Sequence, residues 1–393
     1  MAISVPEYDG VTLEQMYDDP YPTYAMLRKD APVAWLKPAN IHVVTKYEDI
    51  MQVERDQETF PSYDNRSLMI KVMGHTLMRR DGDDHKRHRK SLERTFSPVS
   101  VKRHWKPIFE RIADEIIDDL YDKGQADIFA DFAAPYASRC LKEVIGLPNM
   151  DWQDLSTWSQ AFMDGVGNYG NDPETWARAK AAFEGIDNAI EDHYDGLKAN
   201  PDYSALSSMF EVEDPIDMAD IRANIKVIVG GGLNEPRDVT CTIVYALLTN
   251  PDQLKKFLAN PALYKTIFEE AVRWVSPIGM YPRKVSKRVE IGGAILDEGD
   301  ALGLVVASAN RDSDRFENAD KFDIDREKMA HIGFGAGPHF CAGTWVARAQ
   351  VGEIAIPKLF ERLPNLRLDP EHESKFGGWV FRGPLSVPVV WDA

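Results

Sequence analysis

Residues 334–343, Phe-Gly-Ala-Gly-Pro-His-Phe-Cys-Ala-Gly, decide how this chain is interpreted. Their glycines and proline predict a sharply bent loop that can approach a flat partner closely. The residues that follow, about Ala342 to Arg362, have helical periodicity, so Cys341 stands at the entry to a helix. Backbone N–H groups and the helix dipole favour the thiolate form of a cysteine in such a position. A metal ion binds the deprotonated sulfur, so Cys341 is a candidate metal ligand; a buried cysteine packed at the start of a helix is the alternative.

The composition limits the other possibilities. The 393 residues include 46 Lys and Arg against 63 Asp and Glu, a net charge of -17. This balance argues against nucleic acid as a partner, since binding it needs a concentrated basic face. The three cysteines, Cys140, Cys241 and Cys341, are far apart and form no CxxC pair, so they indicate neither a disulfide framework nor a structural zinc site. One cysteine with His339 is a poor tetrahedral zinc set.

The pattern of apolar and polar residues along the chain indicates its fold class. No apolar run reaches the roughly 20 residues of a membrane-spanning helix, and MAISVPEYDG lacks the features of a signal peptide. We therefore expect no membrane association and a cytoplasmic location. Helical periodicity dominates, with short strands around the Gly-Gly turn of KRVEIGGAILDEGDALGLVV. With no repeat or flexible linker, the sequence predicts one mainly α domain with a minor β-sheet component over residues 1–393.

The spacing Phe-Gly-x-Gly-x-His-x-Cys-x-Gly closely resembles the haem-binding loop of the cytochromes P450. The segments FEEAVRW, DGDDHKRHRKSLERTFSP and ANRDSDRFENADKFDIDR carry the same resemblance, although Ala319 in the last stands where the family usually has Pro. The resemblance extends from Asp19-Pro20-Tyr21-Pro22 to the end of the chain. It implies the cytochrome P450 fold (α+β, haem-thiolate) and haem b, iron protoporphyrin IX, as the cofactor. Cys341 would be the iron ligand, a thiolate that favours O–O cleavage.

The same resemblance implies which residues bind the haem carboxylates. His85 and Arg89 lie at i, i+4 on the helix that crosses the haem edge, and can aim two donors in one direction. Arg283 and His339 would be further donors. The Glu-x-x-Arg pair of FEEAVRW is implied to be a buried clamp beneath the cysteine loop, whereas its spacing alone also fits an exposed ion pair.

The helix on the distal haem side departs from the family pattern. Where the family usually has an acid followed by Thr, this chain has Asn234 and Glu235, then Pro236, after the glycines 230–232. Proline removes one helical N–H, and the glycines let the backbone approach the haem. Glu235 is at i+4 from Gly231, so its carboxyl should lie near the same bare patch. We predict that Glu235, aided by Asn234, carries protons; a helix break with a solvated Glu235 is the alternative.

The Asn-Glu-Pro variant, with HFCAG, LFERLPNLRL and GGWVFRGP, resembles the haem domains of self-sufficient, reductase-fused bacterial P450s. It is less closely similar to the guaiacol-type aromatic O-demethylases. The chain ends in VVWDA just after the haem domain would finish, so it is either a free-standing member or the haem domain of a fusion. The implied activity is a monooxygenase that inserts one atom of O2 into a small aromatic substrate by O-demethylation or hydroxylation. A peroxygenase that consumes hydrogen peroxide and a non-catalytic haem sensor are the alternatives.

The resemblance to the family also implies the redox partners and the substrate pocket. Electrons would come from NAD(P)H through a reductase or ferredoxin, separate or fused. A basic patch is predicted to steer that donor, or to be a solvated helix face; it comprises Lys86, Arg87, Lys90, Lys102 and Arg103. The predicted substrate pocket is apolar, which favours a neutral molecule; its residues are Leu68, Val166, Ile278, Val380 and Phe381.

Overall fold

The computed structural model describes residues 3–392 and is 58% helical. The α-helices are α1 (Leu13–Asp18), α2 (Tyr21–Asp30), α3 (Tyr47–Arg55), α4 (Leu68–Met73), α5 (Gly82–Phe96), α6 (Pro98–Ser100), α7 (Lys106–Tyr121), α8 (Ala134–Ile145), α9 (Trp152–Val166), α10 (Pro173–Ala199), α11 (Ala205–Glu211), α12 (Met218–Thr249), α13 (Pro251–Ala259), α14 (Tyr264–Val275), α15 (Val306–Ala309), α16 (Thr344–Ala347) and α17 (Ile356–Arg362). Segments of 3-10 helix lie at Lys37–Ala39, Leu77–Arg79, Pro261–Leu263 and Gly337–His339, and π-helical segments at Val101–Trp105, Ile128–Ala133 and Arg348–Ala355.

The strands are short, and they confirm the prediction of a minor β component. They are β1 (Ile3–Ser4), β2 (Glu7–Tyr8), β3 (Val33–Leu36), β4 (Ile41–Val44), β5 (Gln125–Asp127), β6 (Tyr281–Lys284), β7 (Val289–Ile291), β8 (Ala294–Leu296), β9 (Ala301–Leu304), β10 (Arg367–Leu368), β11 (Lys375–Gly377), β12 (Gly383–Ser386) and β13 (Pro388–Val390). No helix of residues 3–392 is both long and apolar enough to cross a membrane.

The chain forms two compact units. Unit 1 contains the chain up to Asn65 together with Glu269–Cys341 and Phe376–Gly383. Unit 2 contains Arg66–Phe268, Ala342–Lys375 and the chain from Pro384 onward. The expectation of a single domain over residues 1–393 stays a prediction.

Unit 1 is built on sheets with a helix packed against them. Its largest sheet has the strand order β2-β3-β4-β9-β6, and a second has the order β1-β8-β7. The predicted Gly-Gly turn is confirmed: Gly292 and Gly293, with φ of 53° and 79°, join the antiparallel β7 and β8. Tyr47 and Ile50 of α3 join the buried apolar cluster of these sheets, because they recur at helical spacing on one face.

Unit 2 is organised around α12, a helix of 32 residues that contacts α8, α9 and α10. Asp217 caps its start by accepting the Asp220 N–H at 2.8 Å. The helix runs continuously through Pro236, without the break that was the alternative interpretation of this segment. Packing of the surrounding helices outweighs the intrinsic cost of glycine and proline at its centre. A small sheet of order β10-β13-β5 also belongs to this unit.

The helical run after the cysteine loop begins slightly later than predicted. We expected it over residues 342–362, and it begins at Thr344 and ends at Arg362. Residues Arg348–Ala355 within it are π-helical rather than α-helical. Two residues of turn therefore separate Cys341 from the first helical residue.

Candidate active site

The cysteine loop in unit 1 is bent by two glycines in the left-handed region. Gly335 has a φ of 70° and Gly337 a φ of 61°, which side chains other than glycine rarely adopt. The Gly335 N–H donates to the Ile332 carbonyl, and the Cys341 N–H donates to the Phe334 carbonyl, both at 2.9 Å. Cys341 is partly exposed and in no disulfide, whereas Cys140 and Cys241 are buried. The fold thus leaves accessible the one cysteine that the motif singles out.

The predicted clamp is confirmed as a buried ion pair. Arg273 Nε and Nη2 each donate to a carboxylate oxygen of Glu270 at 2.8 Å, and the two side chains are 2% and 4% exposed. The same guanidinium donates to the carbonyls of Asn310, Ala319 and Lys321 at 2.7 to 2.9 Å. A bidentate pair with every donor used fixes the surrounding chain.

The clamp is connected to the cysteine loop through Asn310. Its carbonyl accepts from Arg273, and its Oδ1 accepts the Ile332 N–H at 2.8 Å. Ile332 in turn accepts the Gly335 N–H at the first bend of the loop. The pair in α14 therefore positions the loop through one intermediate side chain.

The two predicted cofactor donors of unit 1 have partners on the segment around the end of α3. Arg283 on β6 is buried, and its Nη2 lies 3.1 Å from Glu54 Oε1. His339 is also buried, and its Nε2 lies 3.0 Å from Ser62 Oγ. Glu54 was not predicted to be part of the site. The signal that could have found it is an acid four residues after Ile50, on the face of α3 that is otherwise apolar.

Three predicted substrate residues come together in unit 1. Ile278 and Phe381 form an isolated antiparallel β-bridge. The Val380 carbonyl accepts the Gly279 N–H at 2.8 Å. Val380 is buried, whereas Ile278 and Phe381 are partly exposed, so they form an apolar wall with some accessible surface.

His85 and Arg89 lie on α5 in unit 2, with His85 buried and Arg89 half-buried. Part of the predicted basic patch is neutralised by acids, since Lys86 lies 2.8 Å from Asp83 Oδ1 and Arg87 lies 2.8 Å from Asp214 Oδ2. The remaining members of the patch, Lys90, Lys102 and Arg103, are exposed.

Asn234 is fixed between α12 and α9. Its Nδ2 donates to Ser159 Oγ at 2.8 Å, and Ser159 Oγ donates to the Val229 carbonyl at 2.8 Å. The Asn234 amide thus secures one helix to the other. Ser159 is 75 residues away in the sequence, and no local pattern indicated it.

Glu235 projects from α12 toward Gly231. A Cβ added at Gly231 would lie 3.9 Å from Glu235 Oε2, as the i, i+4 spacing predicts. Both carboxyl oxygens are buried and have no hydrogen-bond partner within residues 3–392. The pKa of Glu235 is raised to about 8, mainly by burial, with the negative charge of Asp238 acting in the same direction and Arg237 opposing it. The raised pKa favours the protonated carboxyl at neutral pH, and the burial of both oxygens gives no support to the alternative of a solvated Glu235.

The three glycines at the centre of α12 have different surroundings. A Cβ at Gly230 would lie 2.4 Å from Met163 Cε, and one at Gly232 would lie 2.9 Å from Leu141 Cδ1. At Gly231 nothing lies closer than the Glu235 oxygen. Gly231 is thus the position that exposes bare backbone, whereas its neighbours are close-packing positions.

The two predicted substrate residues of unit 2 lie on contacting helices. Leu68 is the first residue of α4, and Val166 is the last residue of α9. The helices pack closely, since a Cβ at Gly165 would lie 2.9 Å from Val72 Cγ2. Leu68 is partly exposed and Val166 is buried.

Comparison with known proteins finds similar sequences and structures. The Cytochrome P450 family model matches residues 256–363, which include the clamp and the cysteine loop. Mycinamicin IV hydroxylase/epoxidase of Micromonospora griseorubida is 29% identical over 384 residues, 94% of each chain. Cytochrome P450 107B1 of Saccharopolyspora erythraea is 28% identical, over 94% of this chain and 95% of that relative. The crystal structure of P450BioI, in complex with an acyl carrier protein carrying hexadec-9Z-enoic acid, has a TM-score of 0.87 at 25% identity, over 95% of this chain and 99% of that one.

Residues 256–363 thus match the Cytochrome P450 family model, and 94% of the chain is similar to a bacterial P450. The chain has the P450 fold and is an oxidoreductase of the P450 monooxygenase class. Similarity to this family implies a haem-thiolate cofactor, dioxygen as a substrate and a redox partner.

The residues present in each unit fit a P450 haem. Unit 1 offers a partly exposed thiol on a bent loop, with the buried donors Arg283 and His339 in the same unit. Unit 2 offers bare backbone at Gly231, which a planar ligand requires. The carboxylates of a haem need hydrogen-bond donors wherever they are removed from water. The roles of the individual residues stay predictions.

Proposed function

We propose that this P450 inserts one oxygen atom of O2 into a small neutral aromatic molecule, by O-demethylation of a methoxy group or by hydroxylation. The other oxygen atom leaves as water, so each turnover consumes two electrons and two protons. The electrons would come from NAD(P)H through a reductase or ferredoxin, separate or fused to the chain as in the self-sufficient P450s. We further propose a cytoplasmic location and one functional domain over residues 1–393.

The cofactor in this proposal is haem b held by the Cys341 thiolate, with His85, Arg89, Arg283 and His339 as donors to its carboxylates. When bound, a thiolate-ligated haem supplies the electron density that favours O–O cleavage. Within unit 1 the clamp keeps the cysteine loop in one conformation through Asn310.

The observation that carries the proposal is the buried carboxyl group of Glu235, whose pKa is raised to about 8. An acid with a pKa near the working pH is suited to donate a proton during reaction. We propose that Glu235 releases its proton from the carboxyl on the Gly231 side of α12 and regains it from water. Asn234 supports this by fixing α12 against α9 through Ser159.

The apolar character of the predicted pocket residues supports a neutral substrate. Leu68, Val166, Ile278, Val380 and Phe381 offer no charge to bind a carboxylate. Oxidation of a methoxy carbon would give a hemiacetal, which collapses to a phenol and formaldehyde without further catalysis.

The peroxygenase alternative needs a cation beside the helix proline. Arg237 has other partners, since its Nε lies 2.8 Å from Asp238 Oδ1 and its Nη2 lies 3.2 Å from Gln160 Oε1. This arrangement gives no support to that alternative.

One experiment tests the proposal. The purified protein is reduced and treated with carbon monoxide, and the red-shifted Soret band of a thiolate-bound haem is expected. A panel of methoxyarenes is then supplied with NADH and a surrogate reductase, or with hydrogen peroxide alone. Formaldehyde with NADH only is the expected result. Formaldehyde with peroxide only would make the protein a peroxygenase, and no product from any substrate would favour the sensor.

A further inference from the structure

The last turn of α3 carries a buried acid on an apolar face. Tyr47, Ile50 and Val53 are buried on this helix, and Glu54 lies beside them with its side chain only 1% exposed. Removing a carboxylate from water is strongly unfavourable unless the charge is paired. Such an acid therefore requires a partner of opposite charge within reach.

The partner is Arg283, which is 229 residues away in the sequence and 5% exposed. The backbone holds the two segments together independently of this pair. The Lys284 N–H donates to the Pro61 carbonyl at 3.1 Å, and the Ser286 N–H donates to the Thr59 carbonyl at 2.9 Å. Arg283 is thus fixed at its main chain by the segment after α3 and at its guanidinium by Glu54.

The segments that carry the pair lie against the cysteine loop. A Cβ at Gly337 would lie only 2.7 Å from the Glu54 carbonyl oxygen, so α3 and the loop are in close contact at this point. Ser62 Oγ lies 3.0 Å from His339 Nε2 of the same loop. A Cβ at Gly335 would lie 3.7 Å from the hydroxyl of Tyr281, two residues before Arg283 on β6.

We propose that Glu54 is a positioning residue that orients the Arg283 guanidinium beside the cysteine loop and offsets its positive charge. The inference rests on the proposed role of Arg283 as a donor to the haem carboxylates. A guanidinium has five N–H donors in a rigid fork, so it can serve Glu54 and a second carboxylate together. The resemblance to the family assigned Arg283 a role and assigned none to Glu54.

The charge of Glu54 has a consequence for electron uptake. One-electron reduction of the holoenzyme adds a negative charge, and a more positive environment favours it. Glu54→Gln keeps the shape of the side chain and removes one buried negative charge. At an effective dielectric constant of about 20, such a change is expected to alter the reduction equilibrium by about tenfold. For a one-electron couple tenfold is about 59 mV, and the shift is toward a more positive midpoint potential.

The test is a spectroelectrochemical titration of the substrate-free holoenzyme. Glu54→Gln is compared with Asp312→Asn, since Asp312 is also buried and accepts the Tyr47 N–H at the opposite end of α3. Both variants lose one negative charge from unit 1. Glu54→Asp, which keeps the charge, serves as the conservative variant and should retain the wild-type potential.

The expected result is a shift of about tenfold in the reduction equilibrium for Glu54→Gln and less than about threefold for Asp312→Asn. In an Arg283→Gln background the buried Glu54 has lost its charged partner and becomes neutral, so the Glu54 substitution should have little further effect; the double-mutant cycle isolates this pairwise term. Equal shifts in the two single variants, or an unchanged Glu54 effect without Arg283, would overturn the inference.

The transfer of haem to apomyoglobin separates this inference from the role of Arg283 itself. Arg283→Gln should accelerate haem loss if the guanidinium binds the haem carboxylates. Faster loss in Arg283→Gln together with an unchanged potential in Glu54→Gln would refute the role of Glu54 alone. Unchanged haem loss in Arg283→Gln would refute the proposed role of Arg283 and the inference with it.

Discussion

The acids near the cysteine loop and the acid at the centre of α12 differ in whether they have a partner of opposite charge. In unit 1, Glu270 is paired with Arg273 and Glu54 with Arg283. In unit 2, both carboxyl oxygens of Glu235 are buried and lack a hydrogen-bond partner in the described part of the chain. Paired charges hold a segment in one arrangement, whereas an unpaired acid becomes neutral and keeps an exchangeable proton. The difference supports two of our proposals: that unit 1 immobilises a ligand, and that α12 contributes a group whose protonation changes.

Replacing Cys341 should have the largest effect. Cys341→Ala removes the predicted iron ligand, so the reduced, carbon monoxide-treated protein should lose the red-shifted Soret band and all NADH-dependent turnover. Cys241→Ala removes a buried thiol from α12 and should retain both. A Cys341→Ala protein that kept the band would show that the iron has another ligand.

Breaking the clamp should have the next largest effect. Arg273→Gln leaves Glu270 buried without its bidentate partner, so the free energy of unfolding should fall by about 3–5 kcal/mol. Arg326 contacts the same carboxylate at 3.2 Å but is more exposed, and Arg326→Gln should cost less. Denaturant unfolding of the holoproteins measures both. Equal losses of unfolding free energy would mean that the two arginines contribute equally and that Arg273 is not the main partner of Glu270.

Replacing Glu235 should lower the yield of product per NADH consumed. Glu235→Gln removes the acidic proton but keeps the shape of the side chain. The yield of product per NADH is expected to fall by about a hundredfold, the low end of the effect of a positioned proton donor. Since the pKa is about 8, the wild-type yield should fall as the pH rises through about 8, and the variant should lack this dependence. Full coupling in Glu235→Gln would refute the proposed role.

A substitution at Asp238 tests whether Glu235 controls this pH dependence. Asp238 is buried, and its charge raises the pKa of Glu235. Asp238→Asn should therefore move the fall in yield to a lower pH without abolishing turnover. A pH profile that does not move would mean that another group controls it.

The smallest effect is expected at the glycines of α12. Gly231→Ala should raise the free energy of unfolding by up to about 1 kcal/mol, because alanine favours helix and its Cβ meets no close atom. Gly230→Ala should lower it, because its Cβ would collide with Met163. Gly231→Ala should nevertheless retain haem less well, if the bare backbone contacts the haem. Thermal unfolding measures the change in stability, and haem content measures the retention of haem. Equal destabilisation by both substitutions would show that the two positions do not differ as predicted.

The features that sequence predicted well are local. The loop around Cys341, the i, i+3 pair of Glu270 and Arg273 and the Gly-Gly turn each depend on residues a few positions apart. The approach of Glu235 to Gly231 follows from helical spacing in the same way.

The features that sequence missed depend on contacts between distant segments. Glu54 became part of the candidate site because its helix packs against a loop some 280 residues later, and Asn234 acquired its partner from α9. Local propensity also left a break at Pro236 open as an alternative, and the packing of neighbouring helices keeps α12 continuous there. The pairing of Lys86 and Arg87 with acids likewise required the folded chain.

The way in which Arg273 binds its surroundings also bears on how this protein can tolerate mutation. Three of its contacts are main-chain carbonyls, which every residue type supplies. Side chains at those positions can therefore change during evolution without loss of the clamp. Ala319, which stands where the family usually has Pro, provides the same carbonyl as the proline would. The segment from Asn310 to Lys321 can thus accumulate substitutions at Ala319 and Lys321 while the cysteine loop keeps its support.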